Sequence, residues 1–508
     1  MARSILNTLI VMIGSTGLAL VIGFILALGL SRAQVIGRRT LLFLLGGFLF
    51  IPLYVQAGGW NAGFGIQGWW TLSQVTGSQE PMRGIQAVIW IHATACVSSV
   101  VLILLCGFNR SIPNREDMAI MEGGTWSVLR RVWLQSNLGW IAAAFAWSLA
   151  TIGNDMLVSN LYQVRTAVEQ FYLDITVGQF SIAQAIVACI PAILLAVIFG
   201  IVAAKPLEFR SLERVSASSG RQWFGKMWET VVWSVICWTL AGASLLLPMV
   251  SLVIKAGWDA TRVDGVIQRK WLLSRLTEAV FRSPIEYREE MLWSLQLAVF
   301  ASTLSLVVAL VVVPRLPSNR WLRGSIFGVL ALTVAMPGPA VNLLLAKFFL
   351  EAPIPFLSVL YDRTLIPTVM AVGFRVVPVA IFLVTIGWYR WYNTHRDLLE
   401  LEGPKSRLTT LARFLRSTWG TLIVTWLWIA AMTFADFSSY SQLLPPSVTT
   451  ISKRIFELLH YGVRYQEAGL CLFLAICGMV IGGIAMIRFS EFRAITTPTD
   501  RLPTRPNE

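Results

Sequence analysis

Long runs of apolar residues, separated by short polar stretches, make up most of this chain. A helix needs about 20 predominantly apolar residues to cross a bilayer, and most of the runs reach that length. The pattern predicts eleven membrane-spanning helices, at residues 5–30, 41–57, 85–108, 138–158, 182–204, 231–254, 291–313, 325–350, 366–389, 420–445 and 467–488. The sequence therefore predicts an all-α polytopic membrane protein.

The composition agrees with this prediction. Of 508 residues, 56% are hydrophobic and only 13% are charged, and the mean hydropathy is +0.67. A soluble domain does not need so much apolar surface. The first apolar run lacks a short hydrophobic region followed by a small-residue cleavage site, so we expect a retained span rather than a cleaved signal.

The distribution of Lys and Arg predicts the orientation. Cytoplasmic loops are enriched in Lys and Arg, and we attribute the net charge of +14 to this bias rather than to nucleic-acid binding. The basic loops at 108–137 and 390–419 are therefore predicted to be cytoplasmic. The segment 255–289 is predicted to lie outside, because it is long and mixes seven Lys or Arg with acidic residues. The N-terminus is then outside and the C-terminus inside.

One polar stretch between predicted spans occurs twice. The first copy, EDMAIMEGGTWSVLRRVWLQ, begins at Glu116, and the second, DLLELEGPKSRLTTLARFLR, begins at Asp397. An apolar helix follows each copy and ends near an aspartate, Asp155 or Asp436. The two loop starts and the two aspartates are each 281 residues apart. An internal duplication is the economical explanation.

This repeated stretch resembles the cytoplasmic coupling loop of binding-protein-dependent ABC importer permeases of the type I fold. The family pattern is Glu-Ala-Ala, three residues, Gly, nine residues, then Ile-x-Leu-Pro. The residues at or beside the matching positions are Glu116, Glu122, Gly123 and Leu134 in the first copy, and Asp397, Gly403 and Leu415 in the second. The chain departs from the pattern where Glu122 stands for the Gly, and where Gln135 and Arg416 stand for the Pro.

The resemblance covers nearly the whole chain and is closest to the fused two-copy permeases that serve iron(III) and, more distantly, thiamine. It implies two repeats of a five-helix core joined by one linking span. The implied units are a first repeat at 1–204, a cytoplasmic linker at 205–228, a linking span with an outside segment at 229–290, a second repeat at 291–490 and a cytoplasmic tail at 491–508.

The resemblance also implies partners and a location. A separate ATP-binding cassette ATPase would dock on each coupling helix, expected at Ala119–Val128 and Leu399–Leu411. A periplasmic or extracellular solute-binding protein would deliver the solute. The membrane would be the bacterial cytoplasmic (inner) membrane. Glu116 and Asp397 would fix the start of each coupling helix, although plain capping without a partner role explains them equally well.

Asp155, Asp436 and the neighbouring Asn154 are the candidate residues of a translocation path. An ionisable residue within a span is costly and usually faces a cavity or a partner. Two carboxylates facing one axis would suit a cationic solute such as iron(III). The alternative is a gate, or a hydrogen bond to a neighbouring helix that involves Asn154 or Ser438. Arg375, in or near an apolar run, is expected either to snorkel to an interface or to pair with a carboxylate.

Other chemistry finds little support in the sequence. Residues 220–226 read GRQWFGK, but Met227 follows where a phosphate loop needs Ser or Thr, so ATP hydrolysis is expected on a separate subunit. The six cysteines form no CxxC pair and the three histidines are scattered, so neither a metal site nor a cofactor is predicted. The main alternative function is a secondary transporter driven by an ion gradient, which would also show two halves and buried carboxylates.

Overall fold

A computed structural model defines the architecture. It describes residues 2–73, 81–108, 113–177, 190, 193–194, 197, 226–263, 266–317, 319–401, 406–461 and 464–496. The fifth predicted span, 182–204, and the linker at 205–228 lie almost entirely outside the described residues, as does most of the C-terminal tail.

Seven described helices are long and apolar enough to cross a membrane, and two bent helix pairs raise the number to nine. The chain is therefore a helical membrane protein, although eleven spans were predicted. The seven helices are Ala2–Arg32, Gly84–Phe108, Met227–Ala256, Arg288–Arg315, Ile366–Thr394, Leu408–Ala435 and Tyr465–Met486.

The two bent pairs replace two of the predicted straight spans. Arg38–Phe48 and Leu53–Thr71 meet at 107°, and Leu322–Ala335 and Gly338–Glu351 meet at 94°. Pro52 and Pro337 stand at the breaks, immediately before the second helix of each pair. Proline disfavours the helical conformation of the residue before it and donates no backbone hydrogen bond, so each predicted span becomes two shorter helices.

The α-helices of the first part of the chain are numbered in order. They are α1 (Ala2–Arg32), α2 (Arg38–Phe48), α3 (Leu53–Phe64), α4 (Trp69–Ser73), α5 (Gly84–Phe108), α6 (Pro113–Ser127), α7 (Leu138–Gly153), α8 (Leu157–Leu161), α9 (Ala167–Thr176), α10 (Met227–Ala241) and α11 (Leu247–Ala256). Short π- or 3₁₀-helical segments connect some of them, at Val128–Leu134, Gln135–Asn137 and Gly242–Leu246.

The second part continues with α12 (Leu273–Glu286), α13 (Arg288–Val312), α14 (Arg320–Ala335), α15 (Gly338–Glu351), α16 (Pro355–Arg363), α17 (Ile366–Thr394), α18 (Arg396–Leu401), α19 (Arg407–Ala435), α20 (Ile451–His460) and α21 (Tyr465–Thr496). A short 3₁₀ turn, Val313–Arg315, extends α13.

One β-hairpin interrupts the helical pattern, and it was not predicted. Strands β1 (Trp258–Val263) and β2 (Val266–Trp271) pair antiparallel, with Trp258 opposite Trp271 at the base. The hairpin follows the linking span and precedes α12, inside the segment 255–289 that the sequence analysis treated only as polar. It is too short to supply a core of its own.

Two apolar cores organise the described residues. The first forms where α1, α5 and α7 pack together, and the second where α13, α17 and α19 do so. In both, the partners are the first, third and fourth predicted spans of a half. The last span, α21, packs against α2, α11 and α12 and also contacts α19, and its buried residues belong to the first core. The parts of the chain before and after Tyr287, called the two halves from here on, are therefore interlocked, because α21 of the second half joins the core of the first.

Candidate functional site

Asp155 and Asp436 lie just beyond the C-terminal ends of α7 and α19. Asp155 Oδ2 accepts a hydrogen bond from the backbone N–H of Val158 at 3.0 Å, and Asp436 Oδ1 accepts one from that of Ser439 at 3.2 Å. Both bonds join a carboxylate to the N–H three residues later. The aspartates had been expected within continuous spans, but this local side-chain bond competes with the helical ladder and favours a break.

Each carboxylate has a basic partner from another helix of its own half. His92 Nε2 of α5 lies 3.5 Å from Asp155 Oδ2, and Arg375 Nη1 of α17 lies 3.2 Å from Asp436 Oδ1. Arg375 and Asp155, although from different halves, line the same cavity. The site is therefore two neighbouring acid–base pairs, not two free carboxylates.

All four of these side chains line one cavity of about 190 Å³. At about 30 Å³ per water molecule, a cavity of this size has room for a small polar solute or a few waters. Its wall also includes aromatic residues of both halves, such as Trp147 and Trp428. Asp436 Oδ2 is buried and accepts no hydrogen bond from the described residues, so one acceptor remains for a solute.

Asn154 connects the halves instead of lining this cavity. Its side-chain amide donates to the backbone oxygen of Val334 on α14 at 2.7 Å, and to that of Ala150 at 2.9 Å. One bond thus crosses to the other half while the second stays within α7. This geometry fits the hydrogen-bonding alternative for Asn154 better than direct contact with a solute.

A second polar junction joins α20 to α8. Nε2 of His460 on α20 is 2.7 Å from Asn160 Oδ1 on α8, and Asn160 Nδ2 donates to Glu169 Oε1 at 3.4 Å. The Met156 N–H also donates to Ser438 Oγ at 3.4 Å. Burial raises the pKa of the Glu169 carboxyl, and the Asn160 hydrogen bond partly offsets this effect. The two halves therefore contact each other through polar groups beside the cavity.

Glu116 begins the first coupling-like loop but does not reach its surface. Its carboxylate pairs with Arg32 Nη2 at 2.9 Å, and both side chains are only 1% exposed. Trp133 Nε1 donates to Glu116 at 3.3 Å, and Arg32 also donates to the Phe108 carbonyl at 3.1 Å. Glu116 therefore anchors the loop to the end of α1, and it has no surface to offer a partner.

The rest of the first loop is bent and exposed. The helix α6 breaks at Gly123 and Gly124, where Gly124 has a φ of +67° that favours glycine. Exposed Glu122 pairs with exposed Arg131. A π-helix, Val128–Leu134, follows and leaves Leu134 exposed. The predicted coupling helix at Ala119–Val128 is thus two short pieces.

The second loop matches the first only in part. Asp397 lies in the first turn of α18 and is exposed, unlike Glu116. Gly403 lies outside the described residues. Leu415 packs against the second core. A groove of about 290 Å³ lies between the end of α17, α18 and the start of α19, and is lined by Trp391, His395, Leu398, Leu399, Arg413, Arg416 and Ser417.

Both loops expose large apolar side chains. Met121 is 88% exposed and Leu401 is 84% exposed. Other exposed apolar residues are Met118, Trp126 and Leu134 on the first loop and Leu398 and Leu408 on the second. Apolar groups grouped on a polar loop commonly mark a protein interaction site.

Sequence reasoning left two functional neighbours unassigned. His92 was considered only as a metal ligand, and Arg375 was noted as a residue that either snorkels or pairs with a carboxylate. The structure pairs both with the aspartates. Among the described residues, no three metal-binding side chains lie together. No family model, no curated protein and no solved structure matches this chain.

Proposed function

We propose that this protein is the membrane-spanning permease subunit of an ABC importer. The observation that carries the proposal is the pair of loops with exposed apolar side chains, which lie at the same offset from the two paired aspartates. In this proposal, ATPase subunits bind the loops, and their movement is transmitted to the cavity between the halves. The subunit itself hydrolyses no ATP.

The internal duplication draws support from matching hydrogen bonds. Thr166 and Thr450 both cap a helix, accepting from the N–H three residues later at 3.3 and 3.4 Å. The first N–H of each of these helices donates to a hydroxyl on the first span of the same half. The Ala167 N–H donates to the Thr8 hydroxyl and the Ile451 N–H donates to the Ser294 hydroxyl, each at 2.8 Å. The proposed architecture is two five-helix repeats with a linking span.

The proposed path for the solute is the cavity of the two acid–base pairs. A cation such as iron(III), delivered by a solute-binding protein, would have to compete with Arg375 and His92 for the carboxylates. The unpaired Asp436 Oδ2 would be its first contact. Iron(III) stays a prediction, and a neutral or zwitterionic polar solute would meet less electrostatic opposition in this cavity.

We place the protein in a bacterial inner membrane, with the N-terminus outside, the C-terminus inside and both loops cytoplasmic. The buried anchor of Glu116 supports a role for the first loop as a rigid lever. Because the loop is fixed to the end of α1, it would move together with the first core. A displacement of the loop by an ATPase would then be transmitted to the cavity.

The alternative, a secondary transporter, explains the cavity but not the two loops. A transporter driven by an ion gradient needs no docking surface for an ATPase, so it gives no reason for apolar side chains on both loops. The loops are therefore the place to test the assignment.

The test is co-purification with ATP-binding cassette subunits that are expressed together with this chain. Replacing Met121 and Leu401 by Asp is expected to abolish co-purification, because a charge would be desolvated at each contact. The matched control is Ile66→Asp, because Ile66 is 69% exposed but lies in the predicted outer connection between α3 and α4. The proposal fails if the double variant retains the ATPase or if the control loses it equally.

A further inference from the structure

The helix α12, in the segment between the linking span and the second repeat, has three faces of different chemistry. Residues of an α-helix advance by about 100° per position, so residues four apart lie nearly in line. One face packs on the protein, a second carries charges, and a third presents apolar side chains to the surroundings. An ordinary helix at a protein surface needs only the first two.

The packed face fixes α12 to the last span. Ala279, Val280 and Ser283 are buried, and α12 packs along α21. A Cβ on Gly469 of α21 would lie 2.7 Å from the Ala279 backbone, so only glycine permits this approach. Gly469 is four residues from the start of α21. The helix α12 therefore contacts α21 about one helical turn from the N-terminal end of this span.

The charged face forms a ladder of ion pairs. Arg275 lies 3.2 Å from Glu278 and 3.3 Å from Asp259 of the hairpin, and Arg282 lies 3.5 Å from Glu278. Arg275 also stacks over the Tyr465 ring, with its guanidinium carbon 4.6 Å from the centroid. These side chains lie along one edge of α12 and are suited to water.

The third face is uncovered and carries large apolar side chains, with the small polar residues Ser274 and Thr277 between them. Leu273, Phe281 and Ile285 are 62%, 72% and 76% exposed. The next helix, α13, begins after one intervening residue, Tyr287, and also exposes apolar side chains, among them Leu292 and Leu295. The helix α13 is a candidate membrane span, so α12 leads directly into a helix that is long and apolar enough to enter lipid.

We propose that α12 is an interfacial helix that binds the lipid surface, with Leu273, Phe281 and Ile285 inserted among the acyl chains. The direct connection to a candidate membrane span and the separate charged edge favour lipid over a protein partner. Helices with one apolar and one charged face commonly lie in the plane of the membrane interface. The hairpin, whose Asp259 pairs with Arg275 of α12, is then held at the membrane surface by this helix. This inference does not rest on the proposed transport function.

The test places single spin labels along α12 of the full chain in lipid nanodiscs, in a background without native cysteines. Labels at Phe281 and Ile285 are expected to show severalfold higher accessibility to oxygen than to a water-soluble nickel complex. Labels at Glu278 and Arg282 are expected to show the reverse, and a label at Leu295 of α13 serves as the lipid-facing reference.

Three results would overturn the inference. Equal nickel accessibility at Phe281 and Arg282 would place the apolar face in water. Low accessibility to both reagents at Phe281 and Ile285 would mean that protein covers them. The third test uses a phospholipid with a nickel-chelating headgroup, which relaxes spin labels near the membrane interface but not labels buried in a protein core. Absence of this relaxation for the label at Ile285 would also refute the proposal.

Discussion

The buried Arg32–Glu116 pair should determine whether the first loop stays folded against α1. We consider Glu116→Gln, which preserves the size of the side chain and its ability to accept from Trp133, but removes the charge. Arg32 would then hold an uncompensated charge at 1% exposure. Because the side chain keeps its size, the loss of the Glu116 charge tests the ion pair itself and not the packing of the loop.

The magnitude follows from the burial. Removing one partner of a buried ion pair costs about 3–5 kcal/mol, whereas an exposed pair contributes about 0.2–1 kcal/mol. At about 1.4 kcal/mol per factor of ten, opening of the loop should become roughly a hundredfold to a few thousandfold more frequent. The exposed pair Glu122–Arg131, whose side chains are 54% and 59% exposed, is the matched control, and Glu122→Gln should change little.

Limited proteolysis of the purified protein measures this opening, because cleavage follows the population of the open form when opening and closing are fast. Tryptic cleavage at Arg130 should accelerate strongly in Glu116→Gln and only slightly in Glu122→Gln. The double variant Arg32→Met with Glu116→Leu should be cleaved more slowly than Glu116→Gln, because it leaves no charge buried without a partner. Equal cleavage of the Glu116→Gln and Glu122→Gln variants would refute the anchoring role.

Three further predictions concern the cavity, the junction and the topology. The double variant Arg375→Gln with Asp436→Asn should melt at a higher temperature than Asp436→Asn alone, because the single variant leaves the charge of Arg375 without its partner. An equal or lower melting temperature of the double variant would show that the two residues are not coupled. Glu169→Gln should be more stable than the wild type once the pH rises through the raised pKa of Glu169, because charging a buried carboxyl is then costly, and the difference should vanish in acid below about 4.5. An advantage that persists in acid would contradict this cause. Reporter fusions after Arg115 and after Asp264 should report opposite sides of the membrane, and the same side for both would overturn the topology.

The sequence alone determined the class of the protein, the approximate positions of most spans and the two polar loops. Insertion into lipid depends on the composition of about 20 neighbouring residues, which a linear pattern contains in full. The same pattern marked Asp155 and Asp436 as special, since charge is rare in such runs. Proline at 52 and at 337 could also have predicted the two breaks, since its effect is local.

Only the tertiary structure decided which groups these residues meet. His92 lies beside Asp155, Arg375 pairs with Asp436, and Arg32 pairs with buried Glu116, because helices far apart in the sequence pack together. Such pairs depend on the packing of whole helices, which no local pattern contains. The apolar stripe of α12 likewise has meaning only beside its buried and charged faces, and those are assigned by contact with α21 and the hairpin.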